Sequence, residues 1–153
     1  MTPYFQLYAY YFNRSDFENA IQLTTKQISF NDSTAVIYLN RGNAFQRAEK
    51  FDEALDDYIK ALSIDSSLFA VHYQIGRLAA VSGTKLELGE ESIKKFNSKS
   101  ELFDEVTLAW AHFRLGTIYE HKKENELAKR EYEITLQLDK NHQEAIQALA
   151  RLN

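Results

Sequence analysis

The feature that most constrains this chain is a pattern of ring-bearing and small residues that occurs twice with the same intervals. Each copy has a ring, then glycine, then a second ring, followed after a gap by a small residue, a tyrosine and another small residue. The first copy is Tyr38, Gly42, Phe45, Ala54, Tyr58 and Ala61, and the second is His112, Gly116, Tyr119, Ala128, Tyr132 and Thr135. A pattern kept in register in this way indicates a repeated structural unit.

The spacing within each copy predicts two helices that pack together. Residues at i, i+4 and i+7 lie on one face of a helix, so Tyr38, Gly42 and Phe45 form a single stripe. The small Gly42 allows a partner helix to approach closely at Ala54. The chain has one proline and five glycines, so it contains few residues that end helices or form hairpin turns. We therefore predict an all-α fold.

Steps of about 34 residues extend the pattern in both directions. Upstream, Ala20 and Thr24 take the second-helix positions, and downstream Gly76 takes the glycine position. The interval from Gly76 to Gly116 exceeds one repeat, which predicts an insertion: one residue near Gly83 and the others near residues 102–106. We predict a single domain over 1–153, with repeats 1–34, 35–68, 69–108 and 109–142 and a closing helix over 143–153.

The pattern resembles the tetratricopeptide repeat, in which an aromatic residue, a Leu-Gly pair, a tyrosine and an alanine occur at fixed spacings. The resemblance covers nearly the whole chain. It implies a right-handed superhelical solenoid of stacked antiparallel helix pairs, with about four repeats and a C-terminal capping helix. It also implies a non-enzymatic interaction module that binds a peptide or protein segment on its concave face.

Two residues depart from the family pattern. Tyr8 stands where the other units have glycine, and we expect it to hold the first helix away from Ala20. Arg41 stands where the family has leucine, and we expect its guanidinium to lie in water. We also expect Asp57, on the polar side of the second helix, to face solvent.

By the same resemblance, the first helix of each pair lines the inner wall. These helices carry a second apolar stripe that one partner helix cannot cover, so we expect part of it to form a binding groove. The predicted peptide-binding residues are Leu39, Asn43, Gln46, Tyr73, Arg77, Trp110, Phe113 and Arg114. The alternative for Trp110 and Phe113 is that they fill space opened by the insertion.

Polar residues on the same helices suggest a clamp for a carboxylate or a peptide backbone. The candidates are Asn40, Asn43, Arg77 and Arg114. Family members that grip the C-terminal tails of chaperones carry lysines in these first helices. Here Phe5, Leu39 and Tyr73 stand where a lysine would be sought, which disfavours a chaperone tail as the partner.

The segment from Tyr4 to Phe12 is apolar or aromatic on nearly every face, although a terminal repeat is expected to present a polar outer face. It predicts a self-association surface, and hence a homodimer, formed by Tyr4, Phe5, Tyr8 and Phe12. The alternatives are tolerated exposed rings, a missing upstream segment, or a helper or oligomerisation domain that docks onto a larger enzyme or assembly through this helix.

Composition narrows the remaining function classes. The chain has no cysteine, and its net charge of −4 gives it no surplus of cations for nucleic-acid binding. His72 and His112 occupy the same place in successive repeats and are interpreted as packing residues, not metal ligands. We predict no catalytic residue, metal or cofactor, no nucleic-acid or membrane partner, and a cytoplasmic location.

Overall fold

The computed structural model describes residues 3–30 and 34–152, and every regular element in them is helical. Residues 1–2 and 31–33 of the predicted repeat 1–34, and residue 153 of the predicted closing helix, lie outside the described residues. The helices are α1 (Pro3–Asn13), α2 (Phe17–Ser29), α3 (Ala35–Arg47), α4 (Phe51–Ile64), α5 (Phe69–Ser82), α6 (Leu86–Asn97), α7 (Glu105–His121), α8 (Asn125–Leu138) and α9 (Gln143–Leu152), with a 3₁₀ turn at Ser100–Leu102. The predicted all-α class is confirmed. None of the described helices combines the length and apolarity needed to cross a membrane.

A similar turn joins the first helix to the second helix within each of the four described helix pairs. The residue at the shared position of each turn has a left-handed backbone: φ is 60° at Ser15, 60° at Glu49, 68° at Gly83 and 63° at Lys123. Three of these four are not glycine, although left-handed backbone favours glycine. The turn before α6 has a further left-handed residue, Lys85, with φ of 54°. In three of the turns, the following amide donates to a carbonyl near the end of the first helix. These bonds run from Asp16 to Tyr11, from Lys50 to Phe45 and from Glu124 to Tyr119, each at 2.9 Å.

Contacts divide the chain into two compact units, with the boundary between Val71 and His72 in the first turn of α5. In the first unit, a tyrosine of α4 packs closely against a glycine of α3. A Cβ atom added to Gly42 would lie 2.7 Å from Tyr58 Cε1, and Tyr58 is fully buried. The glycine is therefore required by the close approach of the two helices.

The second unit repeats this arrangement in α7 and α8, where a Cβ atom on Gly116 would lie 2.5 Å from Tyr132 Cε1. In α6, which begins one residue later than the repeat length predicts, Ile93 takes the place of the tyrosine. The other inserted residues include the 3₁₀ turn that precedes α7. Phe103 anchors them, because its ring stacks on that of Phe96 with centroids 4.0 Å apart.

Tyr8 lies in the core of the first unit, and α1 contacts α2 less extensively than α3 contacts α4, as expected for a large residue at the glycine position. Tyr8 is 7% exposed and belongs to the same core cluster as Ala20, Ile21 and Ala44. Its hydroxyl donates to the backbone carbonyl of Asn40 at 2.7 Å. The Tyr8 side chain thus extends toward α3, whereas the glycine at this position in the other units has no side chain.

Arg41 and Asp57 correct two of our expectations. The Arg41 guanidinium donates to both carboxylate oxygens of Asp57, at 2.7 Å each, and Asp57 is 4% exposed. Asp57 therefore does not face solvent, and the Arg41 head group is held at the junction of α3 and α4. Arg41 also donates to the hydroxyl of Thr25 in α2 at 3.2 Å. The pair replaces the apolar contact that a leucine would make.

Candidate peptide-binding surfaces

In the second unit, three of the predicted binding residues form one cluster on α7. Trp110 and Phe113 meet edge to face with ring centroids 5.7 Å apart. The Arg114 guanidinium carbon lies 5.1 Å from the Trp110 centroid and 5.4 Å from that of Phe113. All three side chains are half-buried. We call Trp110, Phe113 and Arg114 the α7 cluster.

Arg114 is the only charged member of the α7 cluster, and within residues 3–30 and 34–152 it has no hydrogen bond or ion pair. Its Nε atom is buried without a partner, so its positive charge is balanced only by the faces of two rings. A guanidinium in this setting retains its donors for an anionic group.

His142 packs against both rings of the α7 cluster, although the sequence did not mark it as a binding residue. It is 3% exposed, and its ring lies 4.3 Å from that of Trp110 and 4.9 Å from that of Phe113. Its Nδ1 accepts from the amide of Ala145 at 3.4 Å and so caps the start of α9. No sequence motif marks this role, because it depends on α9 folding back beside α7.

Tyr73 and Arg77 also lie in the second unit, on α5. The Tyr73 ring is 5.4 Å from that of Phe96, and Tyr73 is partly buried against the core of this unit. Arg77 is half-buried and its Nη1 donates to Gln74 Oε1 at 3.4 Å. Tyr73 therefore contributes to packing in addition to any binding role.

In the first unit, the predicted binding residues lie on α3, and two of them serve the interior. The Tyr58 hydroxyl lies 2.9 Å from Asn43 Oδ1 and 2.9 Å from Gln46 Oε1. Gln46 is only 5% exposed, whereas Leu39 and Asn43 are half-buried. Of these three residues, Leu39 and Asn43 present the more accessible surface.

The corresponding tyrosine of the second unit makes the equivalent contact. The Tyr132 hydroxyl donates to the carboxylate of Glu120, which also accepts from Arg151 of α9 at 2.9 and 3.0 Å. Burial raises the pKa of the Tyr132 hydroxyl, and the bond to Glu120 raises it further. This tyrosine therefore stays protonated and acts as a structural donor.

The four predicted self-association residues divide between surface and interior. Tyr4 and Phe5 are each 41% exposed, but Tyr8 is buried. The Phe12 ring lies 5.5 Å from that of Tyr8 and 5.6 Å from that of Phe17, inside the first unit. Tyr4, Phe5 and Tyr8 also line an open cavity of about 210 Å³ between α1 and α3. Self-association stays a prediction.

The two histidines of the shared register have different surroundings. His112 Nδ1 lies 2.7 Å from Glu131 Oε2, in a contact between α7 and α8. For His72, burial and then the nearby charge of Lys95 lower the pKa of the imidazole. No group of three or more side chains suited to holding a metal ion occurs in the part of the chain that the structure describes.

Comparison with known proteins relates the chain to a family. The model of the tetratricopeptide repeat matches residues 35–68. Human serine/threonine-protein phosphatase 5 is 36% identical over 64 residues, which are 42% of this chain and 13% of the phosphatase. Small glutamine-rich tetratricopeptide repeat-containing protein 2 of Saccharomyces cerevisiae is 28% identical over 126 residues, which are 82% of this chain and 32% of that protein. The chain thus spans less than a third of the length of either relative.

Solved structures share the fold over nearly the whole chain. MamA of Desulfovibrio magneticus RS-1, solved from residue 41 to its end, has a TM-score of 0.85 at 17% identity, covering 98% of this chain and 81% of the solved MamA chain. The first tetratricopeptide domain of Spaghetti (RPAP3), solved with the HSP90 peptide SRMEEVD, has a TM-score of 0.68 at 23% identity, covering 78% of this chain and 90% of that domain.

The recurrent turn, the glycine-to-ring contacts and these matches define an all-α helical-repeat protein. The chain is similar to tetratricopeptide repeat proteins in sequence and fold, and its residues 35–68 match the repeat itself. Members of this family are protein-interaction modules that bind proteins or peptides, and their scaffold is generally non-catalytic.

Proposed function

We propose that this chain binds a segment of a partner protein through the exposed faces of its first helices, and that the α7 cluster receives an acidic group of that segment. The observation that carries the proposal is the Arg114 guanidinium, which is held over two rings and has no acidic partner in the described residues.

The surroundings of Arg114 favour a mixed apolar and acidic ligand. Trp110 and Phe113 supply ring surface, and Arg114 supplies a two-pronged donor for a carboxylate. Tyr73 and Arg77 on α5 are the further candidates for contacts in this unit, and Leu39 and Asn43 on α3 are the candidates in the first unit. The RPAP3 domain, which shares this fold and was solved with a peptide rich in acidic residues, supports binding of the same general kind.

Selection from a library of random heptapeptides with free C-termini tests this function. We expect the wild-type chain to enrich peptides that contain Asp or Glu, and Arg114→Gln to lose them with a roughly ten- to hundred-fold weaker affinity, as expected for one charge-assisted contact. Arg130→Gln, which removes an exposed arginine of α8, is the matched control and should bind like the wild type. Enrichment of the same peptides by wild type and Arg114→Gln would disprove the role of Arg114.

A further inference from the structure

The outer face of α1 exposes a stripe that is buried in the other first helices. Counted back from the left-handed turn residue of each pair, Leu7 corresponds to Leu115 of α7, and Tyr10 corresponds to Ala44 of α3 and Ile118 of α7. Leu115 is 3% exposed, and Ala44 and Ile118 are fully buried, whereas Leu7 is 40% and Tyr10 is 55% exposed. The Leu7 position is thus apolar in α1 and α7 and the Tyr10 position is apolar in all three helices, but both positions are exposed in α1.

In α3 and α7 the stripe is covered by the second helix of the preceding pair. Ile21 of α2 belongs to the same core cluster as Ala44. On α6, a Cβ atom added to Gly89 would lie 3.2 Å from Ile118 Cδ1. By analogy, the element that would cover Leu7 and Tyr10 is an amphipathic helix with small and branched residues along its apolar side.

The surface beside the stripe has a shape suited to such a helix. Residues of α1 and α2 enclose a shallow open groove of about 200 Å³. Its lining is Leu7, Tyr11, Asn19, Gln22, Leu23 and Lys26. In the repeat alignment, Leu7 corresponds to Arg41 and Leu23 corresponds to Asp57. Two apolar side chains therefore stand here in place of the ion pair of the next repeat.

Charge adds a second, independent indication of the occupant. Helix α1 has no charged residue from Pro3 to Asn13, and Arg14 follows it directly. Arg14 holds the register position of Lys122, whose Nζ lies 2.6 Å from Glu90 Oε2 on the covering helix α6. Arg14 is exposed, packs 5.3 Å from the Tyr10 ring, and has no ion pair in the described residues.

We propose that the outer face of α1 binds an amphipathic helix of a partner protein, which covers Leu7 and Tyr10 and places an acidic side chain against Arg14. This surface is separate from the α7 cluster and does not depend on the function proposed for it. The partner helix takes the place that α2 has on α3 and that α6 has on α7.

A displayed library of random amphipathic 16-residue helices provides the probe. We expect the wild-type chain to enrich helices with an acidic residue at one constant position. Leu7→Glu and Tyr10→Glu should each weaken the best of them roughly tenfold or more, as the loss of one buried apolar contact implies. The charge reversal Arg14→Glu should shift the selected residue from acidic to basic.

Two controls separate this surface from others. Leu102→Glu, at a residue that is 60% exposed on the second unit, and Arg114→Gln should both keep wild-type affinity for the selected helices. Circular dichroism shows whether each variant is folded. Failure to enrich any helix, or equal binding by Leu7→Glu and Tyr10→Glu, would overturn the proposal. Sedimentation equilibrium that shows a wild-type dimer abolished by Leu7→Glu would overturn it in favour of a second copy.

Discussion

The two nitrogens Nε and Nη2 of Arg41 each donate to one oxygen of Asp57 at 2.7 Å, which joins α3 to α4 by a bidentate ion pair. The side chain of Asp57 is 6% exposed and that of Arg41 is 19% exposed. The hydrogen bond that Arg41 donates to Asp57 raises the pKa of Arg41 despite its burial. Removal of one partner would therefore leave the other charge poorly solvated.

We expect Asp57→Ala to lower the free energy of unfolding by about 2–4 kcal/mol, because it leaves a partly buried guanidinium unpaired. Arg41→Leu combined with Asp57→Ala should recover part of that loss, since leucine is the apolar residue that the family pattern has at this position. Urea denaturation of the single and double variants measures both effects. Asp56→Ala, at the exposed neighbouring residue, should change stability by less than about 0.5 kcal/mol. Equal losses for Asp56→Ala and Asp57→Ala would contradict the prediction.

The glycine-to-tyrosine contacts give a second prediction. In Gly116→Ala the new methyl group would lie 2.5 Å from Tyr132 Cε1, so the two helices must move apart. We expect a loss of about 1–3 kcal/mol from overpacking, against a gain of up to about 1 kcal/mol in helix propensity. Thermal unfolding of Gly116→Ala and Gly42→Ala tests both units. A higher midpoint temperature for either variant would show that the helices relax freely.

His72 predicts a pH dependence of stability. Burial and the charge of Lys95 lower its pKa in the folded state. The unfolded chain therefore binds more protons near pH 6.5, and the stability present above that pH falls as the pH decreases through the folded pKa. His72→Tyr, which introduces the residue type found at position 38, should reduce this loss. The free energies of unfolding of both proteins at pH 7.5 and pH 5.5 provide the comparison. A pH slope identical to that of the wild type would rule out this role for His72.

Trp110 provides a test of the α7 cluster. We expect Trp110→Ala to abolish binding of the heptapeptides that the wild type selects, because ring surface next to an arginine usually dominates such contacts. Trp110 also packs on His142 with ring centroids 4.3 Å apart, so a loss of about 1–2 kcal/mol in stability should accompany it. Titration calorimetry and urea denaturation separate the two effects. Full binding by a folded but destabilised variant would assign Trp110 to packing alone.

The helical pattern could be predicted from residue spacing, because packing of two helices demands specific residue types at specific intervals. Gly42 and Tyr58, and likewise Gly116 and Tyr132, show this: only a glycine allows the ring to lie against the helix backbone. The left-handed turns were harder to locate, since Ser15, Glu49 and Lys123 adopt a backbone that usually signals glycine.

Polar partners could not be predicted in the same way. Asp57 follows Asp56 in sequence and looks equally exposed, yet one side chain is buried and the other is not. The difference arises because Arg41 lies opposite Asp57 and compensates its charge. Similarly, residue spacing did not indicate that the Tyr8 hydroxyl reaches the carbonyl of Asn40.

By itself, then, the amino-acid sequence determined the helix pairs and their resemblance to tetratricopeptide repeats, because these depend on periodicity and on small residues at close contacts. Only the tertiary structure decided which first-helix residues remain available: Gln46 and Tyr8 are buried, Arg114 lacks an acidic partner, and Leu7 is uncovered. The physical reason is that exposure and charge pairing depend on neighbours from other helices, which no local spacing specifies.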